Sequence, residues 1–306
     1  MNESKRHHYI PECYLTNFTI DGKGIWVYNK AEKKPYITSI DKIFQKKHWY
    51  RIPEELIPEH GKNIINPLSI ESEFFADQIE SQFNDYLKSI VANIDDILKD
   101  TSIFQNCQLH DDYVDEFAMQ IAIQYFRTPK ARQMVMETLT DLSEISKLID
   151  SRYLNNPSLK ELLSELSKTH NPTIAHFWTI FANDKFIPDI TELLKSKIWL
   201  TFVSPNAPFY TSDTPVIVES LFNTPSDSNI SLNESGGIIT YPLTKKILFK
   251  LFDKEYYKDM EDADRSIILV NNEFVKKENM VQFAFAQNEI VSPINDFNSQ
   301  NPQKFF

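Results

Sequence analysis

His7 and His8 stand side by side near the start of the chain, four residues ahead of Pro11. Imidazole titrates near neutral pH, so either could ligate a metal or shuttle a proton. Where such a pair leads into a strand, the two side chains point to opposite faces, so one can face a site while the other faces core or solvent. Asp213, within Thr211-Ser212-Asp213-Thr214-Pro215, is the second chemical group. A carboxylate at a strand end can project into a cleft as a base or a cation ligand. The alternative is an Asx-turn, closed on the backbone two residues on. Glu116, Gln120, Gln124 and Arg127 form a third set, one polar file on a helix that is otherwise apolar nearly all round. Such a file faces a cleft, another polar surface or, by default for helices, solvent. Arg127 at its end could clamp a phosphate or carboxylate with two parallel hydrogen bonds. Glu73, Asp77 and Glu80 complete the inventory at i, i+4 and i+7. Three carboxylates on one helix face could share a divalent cation. On an acidic chain they could equally be a solvated face.

These groups suggest a metal set of His7, His8, Asp213 and Glu80 around Mg²⁺ or Mn²⁺, with His8, Asp213 and Arg127 catalytic. A divalent ion would activate water and neutralise a phosphodiester in its transition state. The charge distribution points to the partner. The chain carries 43 acids and 32 bases, a net −11, which makes it a poor general binder of nucleic acid. The first 51 residues, however, are locally basic. Lys42–Arg51 (KIFQKKHWYR) mixes four bases with Phe44, Trp49 and Tyr50. Lys47 and Trp49 there, with Gln120 and Gln124, are the candidate substrate contacts, for nucleic acid phosphates and bases. The plain alternative turns those aromatics into the core.

Other chemistries are excluded. The 5 glycines, at 22, 24, 61, 236 and 237, form neither a Walker-type nor a dinucleotide-binding loop. G-x-S-x-G, H-E-x-x-H and C-x-x-C are absent. Cys13 and Cys107 make no disulfide or zinc pattern, which fits a reducing compartment. No apolar run is long enough for a signal peptide or a membrane span, so the expected setting is cytoplasmic, with no membrane contact. His110, His170 and His176 have no ligand spacing and read as structural.

The elements that must position these residues follow from hydrophobic period. Ile25–Tyr28 and Tyr36–Ile40 read as a hairpin. From Ile70 to Leu98 apolar residues recur every three to five positions, the stripe of one long amphipathic helix. Helices are expected at about 112–128, 130–150, 158–168, 173–183 and 188–196. Strands then return at Ile198–Val203, Phe209–Ser212, Val216–Glu219, Ile238–Leu243, Ile247–Phe252 and Ile267–Val270. A helix near 271–286 and a strand at Glu289–Val291 close the chain, and 220–236 reads as a mobile loop. Segregated strands and helices favour α+β. The expected architecture is one mixed or antiparallel sheet from N- and C-terminal strands (1–64 and 197–295), a large central helical insertion (65–196) and a loose tail (296–306), all one functional unit.

Four stretches together resemble a known bacterial family. They are His7-His8-Tyr9-Ile10-Pro11 with Tyr14, Leu15 and Phe18; Gln124 to Pro129 (QYFRTP); Phe209 to Pro215 (FYTSDTP); and Tyr241-Pro242-Leu243. In order and spacing they are similar to the proteins catalogued as domain of unknown function 4238. The resemblance covers nearly the whole chain and implies that these stretches belong to one unit. It brings no reaction with it. The leading expectation is a metal-dependent phosphodiester hydrolase, a nuclease; a role in bacterial defence is suggested only by the kind of family. The alternative is a non-catalytic ligand- or protein-binding sensor or adaptor whose motifs form a structural network.

Overall fold

The computed structural model describes residues 6–57, 66–99, 107–148, 171–220 and 231–299, with side chains of 142–148 excepted. The fold is mixed α+β, with a central helical region between N- and C-terminal strands. The helix expected at 158–168 lies outside the described residues, as do most of the 220–236 loop and the end of the tail.

The strands form three sheets rather than one. β1 (Arg6–His8) pairs antiparallel with β4 (Gln45–Lys47). The hairpin β2 (Gly24–Asn29) and β3 (Lys34–Ser39) joins β11 (Glu289–Ser292), which also pairs with the short β6 (Thr211–Ser212). This is the sheet in which the two ends of the chain meet. The third sheet runs β10 (Ile267–Leu269), β5 (Ile198–Val203), β9 (Ile247–Phe252), β8 (Ile238–Pro242), β7 (Ile217–Glu219), entirely from the C-terminal part. Only its β10–β5 pair is parallel.

The third sheet is covered on both faces. β5 and β9 are buried at every position. Alternate side chains point to opposite faces, so such a strand needs cover on both sides. Trp199 and Val203 face the main core with Phe249 and Leu251. Ile198, Leu200 and Phe202 face a second core with Val275, on the C-terminal helix Asn272–Phe285. Ile25 and Val27 of the hairpin join that main core, so the hairpin packs on the third sheet through side chains and does not pair with its edge. Phe297, expected in a loose tail, is buried beside Tyr28 and Tyr210, so the fold extends at least that far.

Four long helices follow the periodicity. They are Ser81–Lys99, Asp111–Arg127, Pro129–Leu148 and Asn272–Phe285. Phe83, Leu87, Ile90 and Ile94 bury the predicted stripe of the first. Its expected beginning differs. Ile70–Glu80 is wound as a π-helix, and so is Phe177–Phe181. The two wide segments pack on each other through aromatic rings: Phe74 on Phe177 at 5.3 Å, and Phe75 on Phe181 at 5.2 Å. A π segment is rare and commonly marks a functional site. Here the first carries Glu71, Phe75 and Glu80, which meet Arg127, and the second directly follows His176, which meets Arg132.

Candidate functional site

Arg127 ends the helix Asp111–Arg127 and is 1% exposed. Its Nη1 lies 2.7 Å from Glu80 Oε1, and its Nη2 4.0 Å from Glu71 Oε2. Nη2 also donates to the His8 carbonyl at 2.8 Å, and Nε to the Tyr50 hydroxyl at 3.2 Å. The guanidinium carbon sits 4.0 Å from the centre of the Phe75 ring. Cation, carboxylates and aromatic face therefore meet at one point.

The π winding explains how Glu71, Phe75 and Glu80 all reach Arg127. Glu71 and Glu80 are nine residues apart. In an α-helix of about 3.6 residues per turn they would be about two and a half turns apart, on opposite faces. The i→i+5 pattern widens each turn beyond four residues, so nine residues make about two turns and both carboxylates share a face. The expected acidic face is thereby split: Glu73 and Asp77 are exposed, while Glu80 turns inward.

Two acids beside one arginine do not titrate alike. Burial pushes the Glu71 carboxyl up to about 7; Glu80 adds to this, while Arg127 and the His8 backbone amide oppose it. Burial lowers His8, helped by Arg127 and opposed by Glu12 and Glu80, so its imidazole favours the neutral form. His8 Nδ1 is 3.3 Å from Glu12 Oε1, and its Nε2 is buried without a hydrogen-bond partner. Cys13, beside the Glu80 backbone, is pushed up to about 12 by burial and is no ready nucleophile.

The polar file of the Arg127 helix is buried, not solvated: Glu116, Gln120, Gln124 and Arg127 are all under 5% exposed. Each then needs a partner. Gln120 and Gln82 donate to Glu116 at 2.9 and 2.7 Å, and Gln124 donates to the Tyr9 carbonyl at 3.2 Å. His7 Nδ1 accepts the Tyr50 amide at 2.9 Å, and the two rings stack.

Asp213 follows neither of its expected readings closely. It closes no Asx-turn on its own strand; the Ser212 hydroxyl accepts the Thr214 amide instead. Its carboxylate accepts the backbone amides of Gln287, Asn288 and Glu289 at 2.8, 2.7 and 3.3 Å, and so fixes the loop before β11. Tyr14 completes the convergence. Its hydroxyl meets Thr211 Oγ1 at 2.8 Å, donates to the Pro242 carbonyl at 2.5 Å, and its ring stacks on Tyr241. The segment from His7 to Tyr14 thus touches the three other motif stretches.

Five residues beyond Arg127 lies a second buried arginine. Thr128 leaves the first helix with extended backbone, and Pro129 starts the next. Arg132, on that helix, is 6% exposed. Its Nε donates to His176 Nδ1 at 3.4 Å and its Nη1 to Thr173 Oγ1 at 3.5 Å. The guanidinium carbon is 3.4 Å from the centre of the Trp49 ring, and Lys46 Nζ is 4.7 Å from that same centre. His176 Nε2 lies 2.7 Å from the Phe126 carbonyl and donates to it, which leaves Nδ1 as the acceptor. Burial, with Arg132 beside it, depresses His176 to about 4, so the ring is neutral.

Of the expected residues, His7, His8, Gln124, Arg127 and Glu80 gather around the N-terminal segment. Gln120 belongs to the Glu116 network, Asp213 serves the β11 loop, Trp49 sits on Arg132, and Lys47 is exposed on β4. Among the described residues no group of three or more His, Cys, Asp or Glu could hold a metal ion. Glu71 and Arg132 were not foreseen, whereas Tyr50, one of the aromatics of the basic segment, is buried as the plain alternative had it. Glu71 is hidden by the assumption of α-helical winding. Arg132 stands in a helix whose polar residues look solvated.

A protein-family match extends over residues 6–296, and the family's description is "Protein of unknown function (DUF4238)". The chain belongs to this family. Neither a curated protein nor a solved structure matches it. Among the described residues no helix is long and apolar enough to cross a membrane.

Proposed function

We propose that this protein acts by binding an anionic ligand, and that its four motif stretches form the frame holding the binding surface. The observation behind this is how the motif groups are engaged. Arg127 spends its donors on Glu80, Tyr50 and the His8 carbonyl, and Asp213 spends its carboxylate on three backbone amides. Groups engaged in this way order a fold. The expected ligand class carries phosphate, nucleic acid included, and meets the basic segment around Lys46 to Trp49. The test is incubation with single- and double-stranded nucleic acid in Mg²⁺ or Mn²⁺. Binding without cleavage supports the reading.

A second reading, phosphodiester hydrolysis, is favoured by one observation. Glu71, held near 7 by burial and hydrogen-bonded to the His8 backbone amide, could serve as an acid near neutral pH, with the neutral His8 ring on the same segment. Cleavage that disappears in both His8→Ala and Glu71→Gln, with folding intact, would replace the binding reading by this one.

A further inference from the structure

We propose that Arg132, Lys46 and Trp49 form a receptor for a terminal phosphate, the dianion of a phosphate monoester; this rests on the binding reading above. Burying a charge is costly unless a partner offsets it. Arg127 has two carboxylates for that purpose. Arg132 has none within ion-pair distance among the described residues. Its Nε and Nη1 reach only a neutral imidazole and a hydroxyl, and its Nη2 is buried with no acceptor at all. Trp49 Nε1 is buried and likewise without an acceptor.

The receptor is built in advance of its ligand. Thr173 Oγ1 donates to the Trp49 carbonyl at 3.2 Å while accepting from Arg132, so the indole and the guanidinium are tied to one side chain. Stacking on Trp49 holds the guanidinium plane, and Lys46 brings a second cation to the same ring. Burial lowers Lys46, with Arg132 adding to this, and burial lowers Arg132 to about 10. Asp213 is the carboxylate felt by Lys46, and it is committed to the β11 loop.

Two buried donors without acceptors and an exposed lysine beside them match a group that carries only acceptor oxygens and two charges. A guanidinium only 6% exposed is reached by a group at the end of a molecule more readily than by the middle of a strand. One face of Trp49 is taken by Arg132, so recognition here is through the phosphate rather than through base stacking.

The test uses the full chain at constant ionic strength, with calorimetry and tryptophan fluorescence. The probes are inorganic phosphate, adenosine monophosphate, and a single-stranded oligonucleotide without a terminal phosphate. Both small probes should bind the wild type and the oligonucleotide should not displace them. Arg132→Gln should abolish binding, and Lys46→Ala should weaken it by about tenfold, or about 1.4 kcal/mol. Lys46 is exposed on a strand, so that variant keeps the test open if Arg132→Gln does not fold. Absence of binding at millimolar phosphate, or binding unchanged in both variants, overturns the receptor while leaving the binding reading standing. Displacement by the oligonucleotide overturns the terminal-phosphate assignment. Cleavage of the oligonucleotide overturns the binding reading itself.

Discussion

Arg127 and Arg132 are five residues apart, both buried, and both against aromatic rings, yet their surroundings are opposite in charge. Arg127 is enclosed by Glu80, Glu71, the Tyr50 hydroxyl and the His8 carbonyl. Arg132 rests on Trp49, with a neutral histidine and a threonine as its partners. The helix junction at Thr128-Pro129 directs them to different environments. One arginine is paired with carboxylates; the other has none within ion-pair distance among the described residues. A motif residue can therefore be architectural while the less distinctive residue beside it carries the capacity to bind.

Variants can sharpen this contrast, and the largest effect belongs to Arg127. Arg127→Met leaves Glu80 and Glu71 facing each other without a cation, and should cost about 3–5 kcal/mol in urea unfolding. Asp213→Ala strips acceptors from three backbone amides and should cost about 1–3 kcal/mol by the same measurement. Tyr14→Phe loses the hydroxyl that joins Thr211 and Pro242, a loss of about 1 kcal/mol.

Glu71 gives a pH signature. Its carboxyl moves from an ordinary 4.5 to about 7 in the fold, so between those values the folded chain holds a proton that the unfolded chain lacks. The stability it contributes is complete below 4.5 and lost as pH rises through 7. His176 runs the other way. Lowered from 6.5 to about 4, it contributes stability above 6.5 that is lost as pH falls through 4. Glu71→Gln mimics the protonated acid. Thermal melts should show it gaining on the wild type at pH 8 and matching it at pH 4.5. In Glu80→Gln the Glu71 titration should fall, because a neighbouring negative charge is gone while Arg127 remains; carboxyl NMR would follow it.

The sequence made much of the fold legible. β5 and β9 match the sequence reading to the residue because a short, mostly apolar run rich in β-branched and aromatic residues has few other solutions. The helices from Asp111 to Leu148 and Asn272 to Phe285 matched for the same reason of period. The division into three sheets was not legible, since pairing such as β2 with β11 joins segments far apart in the chain. At the site, the grouping of His7, His8, Gln124, Arg127 and Glu80 follows from motifs that could be seen. The burial of the Glu116–Arg127 file could not be, because its partners Gln82, Tyr9 and Tyr50 lie far away in the chain. The π winding was hidden too. It shifts the phase of the helix, so Glu71 joins Glu80 instead of Glu73 and Asp77.

The most direct measurement compares two variants of the same chemistry, Arg127→Met and Arg132→Met, by urea unfolding without phosphate. Methionine keeps much of the buried volume and removes the charge. Arg127→Met should lower the unfolding midpoint sharply, while Arg132→Met, relieved of an uncompensated cation, should match or exceed the wild type. Equal losses in both would contradict the account, because Arg132 would then be as much a part of the frame as Arg127.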